Sequence, residues 1–242
     1  MKDANDPGGS SAPLFGLFWE NSKLNERNMA SFVDGFANER PGAEKIKYPA
    51  IGLRLELPKD RLFKAMRKRQ SGRAFGGHPV SERQLSSLFS CFADVEGRRL
   101  LPSGGGKYPI EVYALLFHVE GGSKLGGKAV YYNWDSNSLS VVGDCPDWKE
   151  IEGKTGLLVE GEPSILFVFV AFPDRMASKY GERGGRFVLI ESGHYLQNLS
   201  LRAGHENLRG VEAGGLHDDY IKGVLGLGGT GAIITLGYAC GK

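Results

Sequence analysis

Eight residues, Lys179-Tyr180-Gly181-Glu182-Arg183-Gly184-Gly185-Arg186, bring three cationic side chains and a phenol to the foot of an apolar segment. Lys179 beside Tyr180 can exchange a proton with a substrate, while Arg183 and Arg186 can hold an anion or a backbone carbonyl. A second segment, Arg69-Gln70-Ser71-Gly72-Arg73, sets two guanidinium groups and a hydroxyl at alternate positions. That spacing suits a phosphate, whose oxygens match guanidinium forks in paired hydrogen bonds. Basic residues complementing a helix C-terminus are the competing reading. A third segment, Pro102-Ser103-Gly104-Gly105-Gly106, leads through Lys107-Tyr108-Pro109 into a strand. Its glycines let backbone amides face a planar or anionic ligand. It is not a nucleotide P-loop, because Tyr108 stands where a hydroxyl residue is needed and no strand precedes it; a plain flexible loop is the alternative.

These segments need elements to hold them. Asp60 predicts a capped helix with an apolar side of Leu62, Phe63 and Met66, ending in the basic run 67–69. Ser81 and Gln84 form an S-x-x-Q capping box, with Val80 and Leu85 as the staple and Leu85, Leu88, Phe89 and Phe92 as the buried stripe. Residues 110–119 read as a buried strand, 129–134 and 139–142 as an antiparallel hairpin about the turn 135–138, and 164–172 as a buried strand ended by Pro173. Residues 186–208 predict a helix apolar nearly all round, with Ser192 and Gly193 admitting another helix. Residues 232–238 form a last strand. The irregular alternation predicts a mixed α+β domain over 60–242. Residues 1–13 read as a disordered tail. Residues 14–59 read as an arm and extended connector, which could wrap a partner subunit or pack on its own domain.

Composition narrows the class. A chain of 242 residues that is 41% hydrophobic can bury one sizeable core. The net charge of +2 gives no bulk basic face for nucleic acid. Three widely spaced cysteines form neither a zinc pattern nor a disulfide framework, which fits a reducing compartment. No secretory signal is visible and the longest apolar run, 165–172, is too short to span a bilayer. A soluble cytoplasmic protein without membrane attachment is therefore expected. No metal site is expected either, since His217 beside Asp218 and Asp219 lacks ligand spacing and reads as surface or helix-cap chemistry. His194 reads as a core or interface residue. Trp134 and Trp148 read as hairpin packing, with Trp148 a candidate for a substrate entrance.

Taken together, the segments resemble the nitroreductase-like flavoproteins, and among them the SagB-type dehydrogenases, or thiazole/oxazole-forming oxidases. Arg69-x-Ser71-x-Arg73 is similar to the superfamily's phosphate-binding motif. Residues 102–113 resemble the PSGG-x-YP-x-E-V-Y signature, and Lys179-Tyr180 followed by R-G-x-R resembles the catalytic segment. Glu191, Gly193, Gln197, Asn198 and Leu199 match the E-x-G-x-x-x-Q-N-L helix. Residues 18–25, Lys47-Tyr48-Pro49 and 55–58 echo the leading segments. The likeness runs from Leu14 to the C-terminus. One departure stands out: Gly185 replaces the aromatic residue of R-G-Y-R.

The resemblance implies a nitroreductase-like fold, with a mainly antiparallel sheet flanked by helices in an intertwined homodimer that binds FMN at the subunit interface. It assigns Arg69, Ser71 and Arg73 to the phosphate and Pro102, Ser103, Gly104 and Gly105 to the flavin of the other protomer. Gly214 and Gly215 would make a turn near the flavin ring. The implied reaction oxidises a thiazoline or oxazoline ring in a peptide, with a proton removed through Lys179 or Tyr180, hydride passing to FMN and dioxygen reoxidising it. Desolvation and Arg183 are the influences that would tune Lys179 as a base. Cyclodehydratase subunits are the implied partners. An NAD(P)H-dependent nitroreductase or quinone reductase, and a non-catalytic subunit that holds FMN or scaffolds a biosynthetic complex, are the alternatives.

Overall fold

The computed structural model describes residues 11–38, 42, 55–121 and 124–242. Most of the expected N-terminal tail, and the connector residues Lys47-Tyr48-Pro49, Ile51 and Leu53, lie outside them. Two helices come first, α1 (Pro13–Ser22) and α2 (Met29–Ala37). Asp60 caps α3 (Arg61–Lys68) by accepting the Phe63 amide at 2.8 Å. The Ser81–Gln84 capping box opens α4 (Glu82–Phe89), and Leu85, Leu88, Phe89 and Phe92 are buried as the spacing predicts. A short ribbon of β1 (Asp94–Val95) and β2 (Arg98–Arg99) leads to the glycine turn.

The main sheet consists of β3 (Ile110–Leu116), β4 (Lys128–Asn133), β5 (Ser138–Asp144), β6 (Ile165–Ala171), β7 (Arg209–Ala213) and β8 (Ile233–Gly241). Its order is β5-β4-β3-β6-β8-β7 and every pairing is antiparallel. β3 and β6 are buried along their whole length, which explains their unbroken apolar sequences. Alternate residues of β6 serve opposite layers: Phe167 and Phe169 pack with Phe89, Phe92 and Tyr195, whereas Leu166, Val168 and Val170 pack with Trp148, Ile151 and Ile221. The first layer is roofed by α4 and the long α7 (Arg183–His205). The second carries α5 (Trp148–Glu152) and α8 (Asp218–Val224). The β4–β5 hairpin turns at Asn137, whose φ of 48° suits an asparagine.

Two expectations about the long helix need correction. α7 begins at Arg183, so Arg183, Gly184, Gly185 and Arg186 form its first turn rather than a loop before it. It is also not apolar all round in its packing. Val188, Ser192, Tyr195 and Leu199 face the sheet, while Leu189 and Ile190 are exposed. Ser192 donates to Val188 O and bonds Thr235 Oγ1 of β8, so it faces the sheet rather than another helix, while Gly193 is exposed with nothing within 4 Å of a methyl group there. In addition, α5, α8 and α6 (Asp174–Tyr180) are helices in segments to which the sequence assigns no element, apart from the helix-cap reading of His217 at the start of α8. At seven residues or fewer they carry too few apolar positions to display a helical period.

Candidate active site

Lys179 and Tyr180 are the last two residues of α6. Gly181, with φ 52° and ψ −140°, reverses the chain into α7. The corner is tight: a methyl group at Gly184 would come within 2.9 Å of the Ala177 nitrogen. Tyr180 packs edge-on against Phe187 at 4.9 Å between ring centres, and Lys179 Nζ lies 5.3 Å from the Tyr180 ring centre.

The glycine segment folds back onto this pair as a 3-10 turn, Gly104–Gly106. Gly105 has φ 60°, and a methyl group there would come within 2.5 Å of Lys179 Nζ and 2.6 Å of Tyr180 Oη. A bare backbone is therefore required where the two proton-carrying groups converge. The turn is held from behind by Glu191 of α7. Its Oε1 accepts the Gly104 amide at 2.8 Å and the Ser103 hydroxyl at 3.1 Å, and Ser103 Oγ accepts the Tyr108 amide at 2.7 Å. Glu191 is 3% exposed and its Oε2 has no hydrogen-bond partner among the described residues. Burial pushes its carboxyl above the usual range, opposed by the Gly104 amide and the Ser103 hydroxyl.

The Arg69–Arg73 segment leaves the end of α3 and runs beside β7, with the Gly72 amide donating to Gly210 O at 2.9 Å. A cavity of about 470 Å³ opens here, lined by Lys68, Ser71, Arg73, Asn207, Arg209 and Tyr238 among others, and no carboxylate lines it. Three cations without an acid make an anion cradle. Arg69 is not on its wall; it caps α3 and stands half-buried near Gly204 and Tyr238. Arg73 also lines a neighbouring cavity of about 450 Å³ with Phe32, Phe36, Gly156, Gly214 and Gly215. Gly215 O accepts the Gly156 amide at 2.6 Å, and a methyl group on Gly215 would come within 3.3 Å of Gly156. Gly214 faces open space.

The structure thus joins the sequence-predicted residues in two groups rather than one. Lys179, Tyr180 and the turn that includes Ser103, Gly104 and Gly105 meet at one end of α7. Ser71, Arg73, Gly214 and Gly215 line two neighbouring cavities, and neither of these is lined by Lys179, Tyr180 or the glycine turn. Arg183 and Arg186 are exposed and form no ion pair among the described residues, so they do not brace the corner. The desolvation expected of Lys179 is absent in the single chain, where it is exposed. Trp148 is buried against Phe117 and lines no entrance. Trp134 instead stacks on the Arg99 guanidinium at 3.4 Å beside the glycine turn. His194 is exposed rather than in the core, and His217 caps α8 through Nδ1, which accepts the Tyr220 amide. Lys68 and Arg209 were not singled out in the sequence, because β7 and the end of α3 meet only in the folded chain. Gly185, where the resemblance expects an aromatic residue, is buried under the Phe15 ring of α1.

Comparison with known proteins places this geometry in a lineage. MJ1384 of Methanocaldococcus jannaschii, a protein whose name puts it with nitroreductases, is 30% identical over 164 residues, 65% of this chain and 80% of that one. The microcin B17-processing protein McbC of Escherichia coli is 30% identical over 149 residues, 60% of this chain, which thus spans about half (55%) of McbC. Among solved structures, the E. coli microcin synthetase McbBCD complex with truncated pro-MccB17 bound contains a chain of the same fold. It has a TM-score of 0.68 and 24% identity over 97% of this chain and 88% of that one. A Desulfovibrio desulfuricans protein in complex with FMN also shares the fold, with a TM-score of 0.51 and 17% identity over 76% of this chain and 87% of that one. The Nitroreductase family profile matches residues 66–242, from α3 through the last strand and across both groups of candidate residues. On that match and the antiparallel sheet it spans, this chain belongs to the nitroreductase family, a family of oxidoreductases.

Proposed function

We propose that this chain is an FMN-dependent dehydrogenase that oxidises thiazoline or oxazoline rings in a peptide to the aromatic azoles. The observation that carries this reading is the convergence of Lys179 Nζ and Tyr180 Oη on the side-chain-free backbone of Gly105. A reductase that only passes electrons to an acceptor has no need of such a pair, whereas ring oxidation must remove a carbon-bound proton. Similarity to McbC, a microcin-processing protein, supports a peptide substrate, and the fold shared with a chain of the McbBCD synthetase complex supports partner subunits, for which the sequence resemblance implies a cyclodehydratase.

The residues present fit FMN. Ser71 and Arg73, joined by Lys68 and Arg209, suit its phosphate, and the Gly214-Gly215 crease, which shares Arg73 with that cradle, suits a planar ring. When bound, FMN supplies the two-electron acceptor, with dioxygen as the final oxidant. The chain supplies the rest. Lys179 or Tyr180 takes the proton, Gly105 leaves room for both groups to converge, and Glu191 holds the turn on which they meet. The two groups of residues lie apart in one chain, which supports a homodimer in which Pro102, Ser103, Gly104 and Gly105 of one copy complete the site of the other. Closure by that second copy or by the peptide would desolvate Lys179.

The test is direct. Protein reconstituted with FMN is incubated under air with an azoline peptide, and loss of two hydrogen atoms is followed by mass spectrometry. Lys179→Ala and Tyr180→Phe are expected to slow the reaction by about 10²-fold or more. Rapid anaerobic bleaching of the flavin by NADPH with no azoline oxidation would instead favour a nitroreductase or quinone reductase, a reading that the family match also accommodates. Failure to take up FMN would rule out both. Full activity of a synthetase complex carrying Lys179→Ala would assign the chain a scaffolding role.

A further inference from the structure

Helix α1 is joined to the corner that carries Lys179 and Tyr180 by two contacts from its own first turn. Its N-cap, Ala12, offers no side-chain acceptor, and the first amides of a helix need one. Glu182, two residues beyond Tyr180, provides it. Oε1 accepts the Leu14 amide at 2.8 Å and Oε2 accepts the Phe15 amide at 2.9 Å. The carboxylate also meets the positive end of the α1 dipole. Within the first turn of α7, the Phe15 ring covers Gly185 so closely that a methyl group there would overlap it. Phe15 is in turn backed by Trp19, 5.8 Å away between ring centres, and by Phe18 at 6.3 Å. The ring thus closes the start of α7 from the outside, while Gly184 locks its inner side against Met176 and Ala177.

We infer that Phe15 is a positioning residue for Lys179 and Tyr180, with α1 acting as a clamp that fixes the α6–α7 corner. The inference rests on the proposed azoline oxidation for its kinetic consequence but not for its structural one. A ring lodged on Gly185 and a carboxylate fixed at Glu182 bracket the first turn of α7. Lys179 and Tyr180 close the preceding helix and inherit its orientation.

The experiment uses the full chain, both without flavin and loaded with FMN. In flavin-free protein, Phe15→Ala is expected to raise amide exchange in residues 179–186 about ten-fold, while Leu17→Ala, exposed on the same helix, leaves it unchanged. With azoline peptide, Phe15→Ala lowers kcat roughly ten-fold and leaves KM within about two-fold, as expected of a displaced rather than missing proton carrier. The double variant Phe15→Ala/Gly185→Phe, which supplies a ring from α7 itself, restores both readings to near wild type. Glu182→Ala, which releases α1 from its other anchor, raises the same exchange and keeps the question decidable should Phe15→Ala fold poorly. Wild-type exchange in both single variants, or a double variant no better than Phe15→Ala, overturns the clamp. If wild-type protein oxidises no azoline, the functional reading falls, and the exchange measurements still decide the clamp.

Discussion

The Glu191 carboxylate accepts the backbone amide of Gly104 at 2.8 Å across 87 positions of sequence, tying the glycine turn to the middle of the longest helix. The turn would otherwise be free to move, because glycines restrict their own backbone least. A buried carboxylate with one oxygen unpartnered among the described residues is a costly anchor, and what that burial secures is the turn.

Removing that anchor is expected to show in stability first. Glu191→Ala leaves the Gly104 amide and the Ser103 hydroxyl without their acceptor and is expected to cost about 1–3 kcal/mol in urea unfolding. Glu191→Gln keeps an acceptor oxygen and is expected to lose less than half as much. Equal stability of the alanine variant and wild type would show that the turn is held by other contacts.

Gly105→Ala tests the convergence of Lys179 and Tyr180. Its φ of 60° adds about 1 kcal/mol of backbone strain for a residue with a side chain, and the new methyl group displaces Lys179 Nζ and Tyr180 Oη. A fall in azoline oxidation of at least about ten-fold, with FMN content unchanged, is expected. Unaltered turnover would remove the glycine turn from the active site.

For the anion cradle, Arg73→Ala and Arg209→Ala are each expected to weaken FMN binding by about 10- to 100-fold, the loss of one charge-assisted hydrogen bond or two. Flavin fluorescence during titration of flavin-free protein measures this. Lys107→Ala, at an exposed site outside the cradle, should bind as wild type does.

Asp218 gives a pH signature. It is 8% exposed and accepts the Leu24 amide at 3.1 Å, and burial pushes its carboxyl up to about 6 from an ordinary 3.8. The folded chain therefore binds this proton more tightly than the unfolded chain. The associated stability is full below about pH 4 and is lost as pH rises through about 6. Its size is about 2–3 kcal/mol. Asp218→Asn, which keeps an acceptor for Leu24, is expected to flatten the stability profile between pH 4 and 7 in denaturant titrations. A variant with the wild-type slope would mean that the carboxyl titrates normally.

Much of this molecule was legible from local chemistry. Asp60 and the Ser81–Gln84 box mark helix starts because a capping side chain and its target amides lie within one turn. β3 and β6 show themselves as apolar runs because both faces are covered. The motifs around Arg69, Pro102, Lys179 and Glu191 carried the fold and the family, since a resemblance needs only residues in order. The sequence by itself could not pair Glu191 with Gly104, bring Lys68 and Arg209 to one cavity, or lodge Phe15 on Gly185. Each of these contacts joins segments far apart in the chain, and no local preference encodes such a distance. Only packing decided them. Gly185 reads as an empty place in a motif until α1 folds across it, and it is empty because a ring from elsewhere in the chain occupies the space.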